Sequence, residues 1–69
     1  MYFYMKIRIL KTMMVEVAKT RLSEVWDKQL CKWDEINAES INYTKRSADI
    51  CTYDGDIYLN VPIDGFEKV

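Results

Sequence analysis

Histidine is absent from this 69-residue chain, proline occurs once, and glycine and cysteine occur twice each. Each scarcity excludes something. Without His, the commonest general base and a principal zinc ligand are both missing. Cys31 and Cys51 stand far apart with no CxxC spacing, which fits neither a disulfide-dense secreted scaffold nor a zinc site. Two reduced, partly buried thiols are the plain reading, and a Cys31–Cys51 bridge is the alternative that spacing leaves open. There is no excess of either charge. Ten Lys and Arg face eleven Asp and Glu, for a formal net charge of -1, so the strongly basic footprint of a nucleic-acid binder is missing. Long apolar runs are also lacking. The N-terminal stretch Met1 to Leu10 is interrupted by Lys6 and Arg8, and Lys11 follows, well short of the roughly 20 apolar residues of a membrane span. A signal peptide would carry its positive charge first and a small-residue cleavage site later. A soluble, cytoplasmic protein is the expectation, with Met5 opening the domain and residues 1–4 forming an N-terminal extension. No Gly-rich phosphate loop, Ser elbow or paired acid motif is present. The expectation is therefore a non-catalytic protein, with no cofactor and no metal site.

What is present argues for a folded core. Hydrophobic residues make up 49% of the chain and charged ones 30%, a composition that folds rather than stays disordered. Residues 1–69 read as one small domain. Chains of this size bury only about 60% of their unfolded surface, and one core then supplies roughly 3–5 kcal/mol. Nine aromatics raise the area each core residue can bury: Tyr2, Phe3, Tyr4, Trp26, Trp33, Tyr43, Tyr53, Tyr58 and Phe66.

Most of the sequence has a period of two. Ile7 and Ile9 alternate with Lys6 and Arg8, and Met13, Val15 and Val17 alternate with Met14, Glu16 and Ala18. A phase slip at Leu10 to Thr12 makes this one bent strand or two short ones. Residues 20–33 change period. Leu22, Val25, Trp26, Leu30 and Trp33 fall at helical spacing, which predicts one or two helical turns within 21–29, an extended loop being the competing reading. From Asp34 the period of two returns. Ile36 and Ala38 share a face, and Ile41 and Tyr43 share one after a second slip. Ala48, Ile50 and Thr52 then alternate with Asp49, Cys51 and Tyr53. Asp54-Gly55 predicts a two-residue type I′ hairpin turn. Ile57, Leu59 and Val61 are expected on one face, with Tyr58 and Asn60 on the other. Pro62 should end that strand. A 3₁₀ turn at Ile63-Asp64-Gly65 and a short last strand from Phe66 to Val69 should follow.

This order of elements resembles a small Src-homology-3-like barrel, with Tyr58-Leu59-Asn60-Val61-Pro62-Ile63-Asp64-Gly65-Phe66-Glu67 similar to that fold's terminal segment. The resemblance implies a mainly-β fold, a five- or six-stranded barrel with one short helix in the long loop after the first strand. It is one of topology. The peptide-binding members' Ala-Leu-Tyr-Asp-Tyr motif and Trp-Trp pair are absent, so their proline-binding groove is not implied, and a fold shared by many functions assigns none.

Two surfaces are candidates for binding. Trp26, Leu30, Trp33 and Tyr43 are apolar and aromatic residues of the kind that anchor protein interfaces. If 20–33 were helical, Trp26 and Trp33 would share a side. Capping the core is the structural reading of the same pair. This surface points to a protein-interaction module. Its shortness suits an accessory or inhibitory factor of a virus or mobile element, and the edge of the first strand could pair with a second copy as a homodimer. The alternative is a small nucleic-acid-binding barrel. It would use Lys6, Arg8, Lys45 and Arg46 against phosphate, with Tyr53 and Tyr58 stacking bases. The structural reading of those charges is a solvated surface of mixed sign.

Overall fold

The computed structural model describes residues 5–19 and 24–69. Seven strands follow one another: β1 (Met5–Ile9), β2 (Met13–Lys19), β3 (Val25–Leu30), β4 (Glu35–Tyr43), β5 (Ser47–Thr52), β6 (Asp56–Pro62) and β7 (Phe66–Lys68), with a 3₁₀ turn over Ile63–Gly65 before the last. They form one antiparallel sheet in the order β3-β2-β6-β5-β4-β1-β7. The outermost strands, β3 and β7, do not pair with each other, so the sheet is open where a closed barrel was expected. No helix among the described residues is long and apolar enough to cross a membrane.

One face of the sheet carries the core. Ile7, Ile9, Val15, Val17, Leu30, Ala38, Ala48, Ile50, Tyr58, Val61 and Phe66 are buried in a single cluster that draws on every strand. Among the described residues there is no second layer to cover this face. A sheet that buries one face without a partner layer must bend that face onto itself.

The period-two segments fold as their patterns predict. Ile7 and Ile9 of β1, Val15 and Val17 of β2, and Ala48, Ile50 and Thr52 of β5 are all buried. The slip at Leu10 to Thr12 separates two strands. The slip in β4 is a bulge, where the register with β5 shifts between Ala38 and Ser40.

Three expectations are corrected. The helical turns within 21–29 are not formed at the described positions, because residues 25–30 are strand β3; residues 20–23 and 1–4 lie outside the described residues. An uncapped helix of that length is marginal, whereas β2 offers an edge on which six consecutive residues pair, from Ala18↔Val25 to Met13↔Leu30. Val25 and Trp26, counted as an apolar stripe, are 57% and 37% exposed.

The hairpin turn also differs. Asp54 does not take a positive φ, and Gly55 does, at 88°. Tyr53, Asp54 and Gly55 form a three-residue loop between β5 and β6. The Gly55 N–H donates to the Thr52 carbonyl at 3.2 Å, and the Asp56 N–H to Thr52 Oγ1 at 3.2 Å. This is the pattern of a turn followed by a left-handed residue.

In β6, Tyr58 and Val61 are buried while Ile57 and Leu59 are half-buried. Asn60 takes φ 53° and the register with β5 shifts nearby, which moves Val61 to the core face. Asn tolerates the left-handed region better than most residues. The Asp49 carboxylate accepts the Asn60 N–H at 2.9 Å, so the bulge leaves that donor satisfied.

Candidate interaction site

β3 and β4 are consecutive strands, yet they do not pair. They diverge from the turn Cys31–Asp34, and a cleft of about 480 Å³ opens between them. Lys28 and Leu30 line it from β3, and Asp34, Glu35, Ile36 and Asn37 from the start of β4. The end of the β5–β6 hairpin, from Thr52 to Asp54 with Asp56 and Tyr58, closes the remaining side. This volume lies within the range of small-molecule pockets. The lining holds four carboxylates and one ammonium. Glu35 meets Lys6 at 3.7 Å and Arg8 at 3.3 Å on the outer face. Asp34 Oδ2 accepts the Cys31 N–H at 2.9 Å. Lys28 Nζ donates to Tyr58 Oη at 3.4 Å and stands 5.6 Å from that ring's centre.

Asp56 Oδ1 is closed off from water and meets Lys19 Nζ at 2.9 Å. This hydrogen bond and the charge of Asp56 hold the Lys19 ammonium above its ordinary pKa of 10.5. Desolvation opposes the shift, and Asp54 and Tyr58 add smaller contributions to it.

The turn at the head of the cleft is tightly built. Trp33 N–H donates to the Ile9 carbonyl at 2.7 Å, Ile9 N–H donates to the Asp34 carbonyl at 2.8 Å, and Asp34 N–H donates to the Cys31 carbonyl at 3.0 Å. The Lys32 N–H donates to Thr12 Oγ1 at 3.1 Å. These bonds fix Trp33 at φ 76° while leaving it 61% exposed. A bulky residue in the left-handed region costs about 1–3 kcal/mol and persists where the surroundings over-determine it. Lys32 Nζ lies 5.0 Å from the Trp33 ring centre.

The sequence-predicted residues scatter. Leu30 is 2% exposed and gives its side chain to the core and the cleft wall. Trp26 sits near the far end of β3 from Trp33, with roughly 13 Å of strand between Trp26 and Leu30 alone. Both are exposed, and neither is sealed into the core. Tyr43 ends β4, 53% exposed, with Lys68 Nζ 5.8 Å from its ring centre. Leu30 lines the cleft and Trp33 stands in the adjoining turn between β3 and β4, while Trp26 and Tyr43 lie elsewhere. The first strand is not an edge, because β1 lies between β4 and β7, and among the described strands the long free edge belongs to β3.

The basic and tyrosine set scatters as well. Arg8 stands opposite both Glu35 and Glu67 and is ion-paired to each. Lys45 and Arg46 occupy the β4–β5 turn, roughly 20 Å along β4 from the level of Lys6. Tyr53 is exposed at the hairpin and Tyr58 is 5% exposed. Cys31 is exposed, Cys51 is half-buried, and both are free thiols. Comparison with protein-family models, curated proteins and solved structures finds no match.

Proposed function

We propose that the protein is a non-catalytic interaction module that engages a protein partner through Trp33 and the head of the cleft. The observation that carries this reading is Trp33 itself: a large aromatic, mostly exposed, held in a strained conformation by hydrogen bonds from the turn and from β1. A backbone fixed in this way presents the indole from one place, and aromatic anchors of this kind dominate interface energies. The likeness to Src-homology-3-like barrels rests on the β4–β5–β6 meander and on the 3₁₀ turn before the last strand. The test compares the wild type with Trp33→Gly as immobilised baits in the source cell's extract. Glycine relieves the backbone strain, so the variant should fold at least as well. One or more partners should be lost with Trp33→Gly and retained with Tyr43→Ser. An identical set on all three baits would end the proposal.

The nucleic-acid reading has weaker support, since Arg8 is committed to two glutamates and Tyr58 is buried. A gel-shift assay in low salt addresses it, because phosphate-driven binding is strongest there.

A further inference from the structure

Among the described residues, β3 has a partner on one side and none on the other. Which backbone groups point outward follows from its pairing with β2. Lys19 stands opposite Glu24, and its N–H donates to the Glu24 carbonyl at 3.4 Å. Opposed residues in an antiparallel pair alternate between bonded and non-bonded. Glu24, Trp26, Lys28 and Leu30 therefore direct their backbone groups to β2. Val25, Asp27 and Gln29 direct theirs to the free edge. The side chains divide the same way. Trp26 lies opposite Val17 and Lys28 opposite Val15, both core residues, so Glu24, Trp26 and Lys28 lie on the concave face. Val25, Asp27 and Gln29 lie on the convex face beside Ala18, Glu16 and Met14.

We infer that two copies of the chain join β3 to β3 about a two-fold axis at Trp26. The occupant is a second copy because one register of this strand complements itself. A two-fold perpendicular to the sheet keeps each face continuous and must therefore pass through a residue. Centred on Asp27, the pairing sets Asp27 against Asp27 of the second copy, with Glu16 of each copy next in the row. Centred on Lys28, it opposes two ammonium groups. Like charges directly opposed are destabilising. Centred on Trp26, it stacks the two indoles and places Glu24 opposite Lys28 of the second copy, and Lys28 opposite its Glu24. Val25 and Asp27 then exchange their free backbone hydrogen bonds across the axis. A lysine on the inward face of an edge strand ordinarily discourages pairing, and in this register alone each Lys28 meets a carboxylate. The contact spans few residues and belongs to the weak, transient class of interfaces. It uses neither Trp33 nor the turn that holds it and so presents Trp33 twice, while Lys28, which also lines the cleft and meets Tyr58 Oη, turns from that contact to Glu24 of the second copy.

The experiment is sedimentation velocity over a concentration series, with thermal midpoints recorded for every variant. The wild type should show a monomer–dimer equilibrium. Glu24→Lys and Lys28→Glu should each weaken it about tenfold, as two repulsive pairs replace two attractive ones. The double variant Glu24→Lys/Lys28→Glu should recover the wild-type constant to within about threefold. Register is read independently by cross-linking in a Cys31→Ser/Cys51→Ser background. Opposed Cα atoms of a non-bonded antiparallel pair lie about 4.5 Å apart, within disulfide reach. Trp26→Cys should therefore oxidise to a covalent dimer, and Asp27→Cys should not. A monomer at every concentration up to about 1 mM, the weakest contact worth the name on the affinity scale, overturns the inference. So does a dimer that the single charge reversals leave intact, or a cross-link favoring position 27.

Discussion

Strands β3 and β5 have six residues each, and they are opposite in character. In β5, Ala48, Ile50 and Thr52 are buried in strict alternation. In β3, every residue is exposed except Leu30. The difference lies in their neighbours. β5 has β4 on one side and β6 on the other, so one face is sealed and the period of two is imposed by burial. Among the described strands, β3 is held by β2 alone. Its backbone is extended because β2 supplies hydrogen-bonding partners, and its side chains answer to solvent. A strand made by pairing rather than by burial carries little periodic signal.

The contrast can be tested by substitution. Ile50→Ala removes a fully buried side chain from between two strands and should lower unfolding free energy by about 2–5 kcal/mol in a denaturant titration. Leu30→Ala should cost about 2 kcal/mol, the low end of that range, because its site adjoins the open cleft and can relax. If Leu30→Ala proves the costlier, β3 belongs to the core more fully than its exposure indicates. Gly55→Ala forces a Cβ into the left-handed region and should cost about 1–2 kcal/mol on the same measurement.

Lys19→Met acts at the seam between β2 and β6, and its effect should depend on pH. The folded ammonium has a pKa raised above 10.5. Its contribution is therefore fully present below that value and is lost as pH climbs through the folded pKa. The thermal midpoints of wild type and variant should differ at neutral pH and converge in strong alkali. Val25→Thr keeps the β-branch on an exposed edge position and should change stability by less than about 0.5 kcal/mol. A larger loss for Val25→Thr would mean that β3 is already covered.

Where burial set the pattern, the sequence was legible. The alternation of β1, β2 and β5, the phase slip in β4, the stop at Pro62 and the 3₁₀ turn before β7 were all readable from residue type and spacing. β3 was misread because Val25, Trp26 and Leu30 fall at helical intervals by coincidence, and only the last is buried. The Asn60 bulge was hidden because Ile57, Leu59 and Val61 are all apolar, so a change of face between Leu59 and Val61 left no polar residue out of place. The cleft was illegible for a different reason. Its lining comes from β3, from the start of β4 and from the β5–β6 hairpin, and no local pattern reports their convergence. The strain at Trp33 is imposed by bonds to Ile9, more than twenty residues away in the chain.

The position of β1 bears on the order of assembly. Its two neighbours are β4 and β7, and the Ile9–Phe66 pairing joins the first described strand to the last. Contacts between segments so distant along the chain slow folding, because the intervening polypeptide must first be ordered. During synthesis, Ile7 and Ile9 therefore wait for Phe66 before one side of their strand is covered. The nascent chain carries an unsealed apolar ribbon until Phe66 and its neighbours in β7 have been made.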